Sequence, residues 1–466
     1  MSRLEIKALF SRPGSPAYPF RDERDQLCWL EPLTEEGGRL ALKQRSPRGE
    51  RIVTPAGYQL RSKVHEYGGK CFCIAGDQVY FNNFEDGLLY RQGLHTAESP
   101  QPVSTAEGPP SSYADLHYSP ALNALIAVQE VQGDSGSENL NRLVAFPLDS
   151  PTPCRPRIIA EGADFYAAPG ISGDGAQLAW IEWNHPDMPW DASRLMRAEI
   201  SGRGDEITLG PVQQLAGGAD SSVCQAGFLE SGSLLFAMDR SAPDDSPENF
   251  WNLYVSEHGQ VRLLSRERAE FGEAHWIFGQ QRWVQLDDAH VAAVMTANET
   301  DTLQIINLKT GGMKHVGDLY ARLSQLSCRD GGLLCVAEYA DRPAEIIEMS
   351  PQGGVSTVHS ETPWLERDEV SLPQLVNFPT RDGAGAYANF YPSKPSSKGE
   401  VPALLVLVHG GPTSRADTAL KPLVQYFTQN GFAVLDVNHR GSTGHGRTYR
   451  QALLGQWGEI DASDIA

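Results

Sequence analysis

The amino-acid sequence predicts a seven-bladed β-propeller followed by the first part of a doubly wound α/β domain. Two observations predict the propeller. A short turn-and-strand pattern recurs through the first 370 residues, and no helical periodicity is sustained there. A third observation predicts the second domain, because from Val376 onward apolar runs of strand length alternate with short helical segments and Gly-rich turns.

The repeated unit is a turn rich in Asp, Ser, Gly or Asn, followed by an apolar run of strand length. The turns start near residues 22, 76, 119, 172, 230, 287 and 329, and the runs are LCWLE, VYFNN, ALIAVQE, LAWIEW, LLFAMD, VAAVMT and LLCVAEY. A period of about 40 to 60 residues is typical of propeller blades. Two β-sandwiches are the alternative, but they would not be expected to keep one period. We predict blades over residues 21–365, after an N-terminal segment, residues 1–20, expected to pack on the second domain.

The second domain is predicted over residues 366–466. Its elements are a hairpin turning at Asp382-Gly383, a strand at Val401 to Val408, a helix at Lys421 to Asn430, a strand at Phe432 to Val437 and a helix at Arg447 to Leu454. The first strand is a largely continuous apolar run and the second is also mostly apolar, so we expect each to be buried on both faces of a parallel sheet. Ligands bind such sheets at the carboxyl ends of the strands, where the turns at His409 and Asn438 lie.

The turn that begins at His409 has the sequence His409-Gly410-Gly411-Pro412. Adjacent glycines allow close approach of the backbone to a substrate, so an N–H of this turn can point at a developing oxyanion. A tight strand-to-helix turn without chemistry is the alternative. We expect the His409 side chain to hydrogen-bond the turn backbone rather than act as a general base, and we interpret Ser442 as a turn residue.

Composition excludes several classes of function. The sequence has 39 Lys and Arg against 59 Asp and Glu, and the net charge of −20 argues against nucleic acid or an anionic membrane as partner. Its seven cysteines contain no CxxC pair, so we interpret them as reduced thiols and expect neither a metal site nor a cofactor. The N-terminus lacks an apolar leader, which predicts a cytoplasmic protein. Composition leaves the oligomeric state open.

Several motifs, in one order along the chain, resemble those of a known family. They are Val64 to Gly69 (VHEYGG), Ile171 to Gly175 with Leu178 to Trp180, His185 to Asp191 (HPDMPWD), Trp251 to Tyr254 (WNLY), His409 to Pro412, and Asp436 to Gly446 (DVNHRGSTGHG) leading to Trp457-Gly458 and Asp461. The chain resembles the prolyl oligopeptidase family of serine peptidases, specifically its acylaminoacyl peptidase and dipeptidyl aminopeptidase-like branch. Each motif is weak alone, whereas their order over nearly the whole chain is specific.

The resemblance implies a seven-bladed propeller that restricts access to an α/β-hydrolase domain, so that short peptides reach a Ser-Asp-His triad. It also implies that the Gly411 N–H is one oxyanion-hole donor, with His409, Gly410 and Pro412 shaping the turn. Dipeptidyl-peptidase relatives bind the substrate amino terminus with paired carboxylates. Glu66 and Glu182 are weak candidates for that role, because no Glu-Glu pair matches.

The sequence departs from the family pattern in one respect. The nucleophile of the family lies in Gly-x-Ser-x-Gly, and no such pattern occurs here; the nearest segments, Gly133 to Ser137 and Gly170 to Asp174, lack the final Gly. We therefore expect a C-terminal truncation, with the catalytic Ser, Asp and His beyond Ala466 and no activity in residues 1–466 alone. The alternative is a non-enzymatic propeller that binds a peptide or protein partner and carries a vestigial hydrolase segment.

Overall fold

A computed structural model describes residues 14–149, 152–350, 352–394, 401–411 and 413–466. Strands dominate this part of the chain, and its α-helices all lie near the carboxyl end. The helices are α1 (Pro422–Gln429), α2 (Gly446–Gln451) and α3 (Ile460–Ile465), and 3-10 turns occur at Thr34–Glu36, Gly204–Glu206 and Pro247–Asn249.

Up to Ser360 the strands form antiparallel sheets in which, except at the short strand Thr208–Leu209, neighbours along the chain within a sheet pair with each other. Four-stranded sheets are formed by β1 (Ala17–Arg21), β2 (Leu27–Leu33), β3 (Arg39–Ser46) and β4 (Gly49–Ile52); by β5 (Phe72–Ala75), β6 (Gln78–Asn82), β7 (Leu89–Gly93) and β8 (Gln101–Pro102); and by β9 (Ser111–Ser119), β10 (Ala124–Val131), β11 (Leu140–Pro147) and β12 (Arg157–Ala160).

A nine-stranded sheet follows, and then two more four-stranded sheets. The former comprises β13 (Phe165–Ile171), β14 (Gln177–Trp183), β15 (Ser193–Ser201), β16 (Thr208–Leu209), β17 (Gln213–Gly218), β18 (Ser221–Phe228), β19 (Leu234–Arg240), β20 (Asn252–Glu257) and β21 (Gln260–Leu263). The latter are β22 (Trp283–Gln285), β23 (His290–Ala297), β24 (Thr300–Asn307) and β25 (Met313–Tyr320), and β26 (Arg322–Arg329), β27 (Gly332–Glu338), β28 (Glu345–Met349) and β29 (Val355–Ser360).

The predicted turns occupy one recurring place in this arrangement. Each lies between the first two strands of a four-stranded sheet or, in the nine-stranded sheet, between β13 and β14 or between β18 and β19. The apolar run after each turn is therefore a second strand, flanked by strands on both sides. The run in β10 is buried at every position, as expected when the faces of a sheet are covered by its neighbours. The prediction of repeated antiparallel sheets is confirmed.

Left-handed backbone recurs at the first strand of these units. Residues with positive φ in or just before the first strand are Tyr18, Gly69, Asp115, Ala168, Gln225, Gly279 and Gln325. Some of their side chains bind the next unit. Asp115 Oδ2 accepts a hydrogen bond from Ala168 N at 2.6 Å, and Gln225 Oε1 accepts one from Arg282 N at 3.1 Å. These bonds link successive sheets side by side.

The first sheet, β1 to β4, also contacts the last of the antiparallel sheets, β26 to β29. Arg21 Nε and Nη2 donate to the two carboxylate oxygens of Glu348 at 2.9 and 2.8 Å, and Tyr18 N donates to Gln325 Oε1 at 2.7 Å. Strand pairing does not join β1 to β26 in the described sheets. Side-chain contacts therefore connect the beginning of the propeller region to its end.

The boundary predicted at residue 21 is corrected. Residues 1–13 of the predicted N-terminal segment lie outside the described residues, but Ala17–Arg21 forms β1 and pairs with β2. The reason is aromatic packing, because Tyr18 and Phe20 both contact Phe72, with ring centroids 6.0 and 6.1 Å apart. The hydrogen bonds and ring contacts described for this strand go to the propeller rather than to the second domain.

The carboxyl-terminal sheet contains β30 (Gln374–Pro379), β31 (Gly385–Tyr391), β32 (Ala403–Val408) and β33 (Phe432–Asn438), in the order β30-β31-β33-β32. β32 and β33 are parallel and are connected through α1. The expectation that both would be buried on two faces is correct only for β33. In β32, Leu404, Val406 and Val408 are 52%, 36% and 45% exposed. These alternate residues share one face of the strand, so that face is left uncovered by the described residues.

Candidate active site

The Gly-rich turn follows β32 at the carboxyl end of the parallel pair. Gly411 has a φ of +51°, a conformation that favours glycine, whereas Gly410 does not have a positive φ. A Cβ added at Gly411 would lie 3.0 Å from the Trp276 ring, but a Cβ at Gly410 would meet nothing within 4 Å. Pro412 lies outside the described residues. Both the left-handed φ and the nearby Trp276 ring therefore favour glycine at position 411.

His409 is held by a side chain from the neighbouring strand's turn. Its Nε2 lies 2.8 Å from Ser442 Oγ, its Nδ1 lies 3.3 Å from Gly410 O, and its ring stacks on His439 with centroids 4.7 Å apart. Burial lowers the pKa of His409 to about 4, and the neighbouring His439 ring contributes to this shift as the second cause. The expected contact with the turn backbone is therefore secondary, and the main partner is Ser442.

The turn after β33 supports the Gly-rich turn through its backbone. Val408 and Val437 are paired in the parallel register, so the two turns begin side by side. Asn438 Oδ1 accepts a hydrogen bond from Ala416 N at 2.7 Å, and Thr443 N donates to Ser414 O at 2.8 Å. The first turn is consequently fixed at both of its ends.

The propeller contacts the Gly-rich turn directly. Trp276, between β21 and β22, donates from Nε1 to Thr413 O at 2.6 Å. Its ring packs against Trp190 at a centroid distance of 4.3 Å and against Tyr67 at 5.2 Å. Tyr67 and Trp190 belong to two of the motifs found in the sequence. These motifs therefore meet at the face that carries the turn.

Helix α2 is anchored on the propeller by buried ion pairs. Arg447 Nη1 lies 3.0 Å from Asp239 Oδ1, and Arg450 Nη2 contacts Asp239 Oδ2. Asp239, at 0% exposure, is a residue of β19, and both arginines are 2% exposed. The first backbone N–H of the helix, at Gly446, donates to Glu270 Oε1 at 3.0 Å. The charge of Asp239 is thus compensated by arginines from the other part of the molecule.

A second group of charges borders the Gly-rich turn. Arg415 Nη2 lies 3.2 Å from Asp301 Oδ1 of β24, and Arg322 Nη2 lies 2.9 Å from Glu273 Oε1. His445 Nε2 lies 3.0 Å from Glu299 Oε1 at the tip of the β23–β24 hairpin. Arg415 and His445 thus form ion-pair contacts with propeller carboxylates across the two parts of the chain, whereas Arg322 pairs within the propeller.

A cavity of about 350 Å³ lies between the Gly-rich turn and the propeller. The turn side is formed by Gly410, Gly411, Ser414, Arg415, Asp417 and Thr443, and the propeller side by Tyr67, Glu273, Ala274, Trp276, Ile277, Gln280 and Arg322. Aromatic faces and paired charges thus line one space with two exposed glycines. A cavity of this size with a few convergent polar groups is the usual form of a small-ligand site.

The carboxylates considered for an amino-terminus site do not line this cavity. Glu66 is exposed on the loop next to Tyr67, and Glu182 is occupied within the propeller. The latter accepts from Trp180 Nε1 at 2.8 Å and pairs with Arg194 at 3.0 Å. The structure therefore brings together His409, Gly410 and Gly411 but not this pair.

Sequence reasoning missed the propeller residues that contact the turn. Trp276 lies in a segment without a distinctive motif, and Asp239 is the last residue of the LLFAMD run, where it marks only a strand. The partners of both residues are more than 100 residues away. The one available signal was the spacing of Arg447 and Arg450, which places both on one side of a helix. Within the described ranges, no helix has the length and apolarity needed to cross a membrane, and no three His, Cys, Asp or Glu side chains form a group that could hold a metal.

Repeated antiparallel sheets covering a Gly-rich turn on a parallel sheet define a propeller joined to a hydrolase-type α/β segment. Residues 419–466 match the prolyl oligopeptidase family. A solved structure of puromycin hydrolase superposes with a TM-score of 0.90 at 28% identity, over 100% of this chain and 72% of that one.

Two curated relatives match over shorter stretches. Dipeptidyl peptidase family member 6 of Caenorhabditis elegans is 35% identical over 113 residues, which are 21% of this chain and 14% of the relative. Acylamino-acid-releasing enzyme of Rattus norvegicus is 43% identical over 74 residues, which are 16% of this chain and 10% of the relative. The matched part is thus a small fraction of either relative. Together these matches show that the chain is similar to members of the prolyl oligopeptidase family, the family that its motifs resemble.

Proposed function

We propose that the protein is a serine-type peptidase that hydrolyses short peptides by acyl transfer. The substrate binds in the cavity between the propeller and the Gly-rich turn. A serine attacks the scissile carbonyl, a histidine takes its proton, an aspartate orients that histidine, and the Gly411 N–H stabilises the tetrahedral oxyanion. The position of Gly411, at the end of a parallel strand and on the wall of this cavity, is the observation that carries the proposal.

The proposal places the catalytic Ser, Asp and His beyond residue 466. Its support is the lack of a Gly-x-Ser-x-Gly sequence in residues 1–466, together with the 72% of puromycin hydrolase that this chain spans. His409 is not the general base of this proposal, because its Nε2 is engaged with Ser442. His409 and Gly410 instead shape the turn.

The proposal includes seven blades and propeller-restricted access. The seven left-handed positions, spaced by roughly 50 residues, support the count. In the nine-stranded sheet β17 and β18 are joined through the single pair Gly218 and Ser221, which is consistent with two adjacent blades. Restriction to short peptides is supported by the cavity, since the propeller forms one of its walls.

Charge and cysteine burial bear on the partners and the location of the protein. The net charge of −20 supports peptide substrates rather than nucleic acid or an anionic membrane. Five of the seven cysteines are buried, which fits thiols in the reducing cytoplasm. The mechanism requires no cofactor or metal.

The test uses the natively expressed gene product and the chain of residues 1–466 side by side. Intact mass and labelling by a fluorophosphonate are measured, followed by turnover of aminoacyl and dipeptidyl chromogenic substrates and of puromycin, which the structural relative is named for hydrolysing. We expect a labelled serine and turnover in the native product and neither in residues 1–466. Turnover by residues 1–466 would overturn the assignment of the triad, and a native product without label or turnover would favour the peptide-binding propeller.

A further inference from the structure

The Gly-rich turn is touched on two sides by one propeller side chain. The Trp276 indole donates to Thr413 O at 2.6 Å. The edge of the same ring occupies the space beside Gly411, where an added Cβ would come within 3.0 Å of Cζ2 and 3.1 Å of Cη2. One rigid side chain thus contacts the residues that flank position 412.

Trp276 is itself held in place by aromatic side chains from other parts of the propeller. Trp190 is 4% exposed and packs on the Trp276 ring with centroids 4.3 Å apart. Tyr67 meets the ring edge to face at 5.2 Å. Aromatic pairs in these geometries are mutually attractive. The indole therefore has a fixed position relative to the propeller.

The loop that presents Tyr67 is fixed by its surroundings. His65 and Glu66 have φ values of +53° and +67°, which are uncommon for residues other than glycine. The His65 ring is packed against Phe165 and Trp183, with centroids 5.1 and 5.4 Å away. Such backbone persists where neighbouring structure determines it. This packing accounts for the VHEYGG motif, which the proposed chemistry leaves unused.

We propose that Trp276 is a positioning residue that couples the contact between the propeller and the α/β segment to the orientation of the Gly411 N–H. The inference rests on the proposed function, in which that N–H is an oxyanion-hole donor. When the propeller is seated, the indole bond to Thr413 and the ring beside Gly411 fix the turn from outside, while Ser442 and His409 fix it from inside. The oxyanion-hole donor is thus aligned only in the docked arrangement.

The first experiment needs no catalysis. Trp276→Phe keeps an aromatic ring but removes the indole donor, and Trp180→Phe is the matched control because its Nε1 bond, to Glu182, lies inside the propeller. Amide hydrogen exchange is followed in the segment 403–411, with the unfolding temperature of each variant measured alongside. We expect exchange in this segment to rise several-fold in Trp276→Phe and to stay unchanged in Trp180→Phe. Equal exchange in both variants would overturn the coupling.

The second experiment measures kinetics in the full-length gene product. Because small misplacements of catalytic groups cost up to about 100-fold in rate, we expect Trp276→Phe to lower kcat by about 10-fold or more with KM changed less than about twofold. A raised KM with unchanged kcat would contradict positioning and make Trp276 a substrate-binding wall. An unmodified protein without activity would overturn the proposed function, whereas the exchange experiment tests the Trp276 contact independently.

Discussion

His409 Nε2 lies 2.8 Å from Ser442 Oγ, and the Ser442 hydroxyl also donates to His439 O at 2.7 Å. A carbonyl oxygen only accepts, so the single hydroxyl hydrogen of Ser442 is used there. Ser442 Oγ must then accept from His409, which carries its proton on Nε2. The ring is neutral, half-buried and engaged in a structural hydrogen bond, and this bond argues against a role for His409 as a general base.

This arrangement predicts the titration of His409. Burial and the neighbouring His439 lower its pKa to about 4, compared with about 6.5 in an unfolded chain. The neutral ring therefore contributes stability above about pH 6.5, and this contribution is lost as the pH falls through 4. Nitrogen-15 NMR of labelled histidine should report a neutral Nε2–H tautomer that protonates near pH 4, and Ser442→Ala should accelerate exchange of that proton. A pKa near 6.5 would contradict the arrangement.

The two glycines of the turn should respond differently to the same substitution. Gly411→Ala places a methyl group against the Trp276 ring in a left-handed conformation, whereas Gly410→Ala meets nothing within 4 Å. Strain of this kind costs about 1 to 3 kcal/mol. Thermal unfolding and exchange in the turn should therefore change in Gly411→Ala and remain close to the parent in Gly410→Ala. Equal effects would argue against the ring contact.

Removing the charge of Asp239 should weaken the docking of α2. Asp239→Asn leaves two buried guanidinium groups, on Arg447 and Arg450, without their carboxylate. Breaking a buried ion pair costs about 3 to 5 kcal/mol, which denaturant unfolding should report. Asp330→Asn is the control, because the Asp330 side chain is 92% exposed and such changes stay within about 0.5 kcal/mol. Similar losses in both variants would contradict a special role for Asp239.

Contact between the first sheet, β1 to β4, and the sheet β26 to β29 should depend on the bond of Arg21 to Glu348. Glu348→Gln removes the charge from a two-point carboxylate contact and should cost about 1 kcal/mol. Amide hydrogen exchange in Ala17–Arg21 should also rise in the Glu348→Gln variant. Glu257→Gln is the matched control, since its longer 3.4 Å pair with Arg262 joins β20 and β21 within one sheet. If β1 exchanges equally in both variants, other contacts hold the first sheet.

Local patterns predicted the repeated elements because their causes are local. The turns and the apolar runs after them specify hairpins through near neighbours, and every predicted turn lies between two strands of the structure. The parallel pair and its connecting helix were predicted for the same reason. The exposure of one face of β32 was not predicted. An apolar run shows that a strand is able to pack on both faces, but it does not show whether another element covers each face. The start of the first sheet was missed because Tyr18 and Phe20 find their partner Phe72 outside their own repeat.

The sequence by itself determined the order of sheets, the position of the Gly-rich turn and, through the order of its motifs, the resemblance to the family. Tertiary structure alone decided that Trp276 would reach Gly411 and Thr413, that Asp239 would receive Arg447 and Arg450, and that Ser442 would bind His409. Each of these contacts joins residues that are far apart along the chain or lie on different strands. Their geometry depends on how whole sheets pack, and no local pattern of residues encodes that packing.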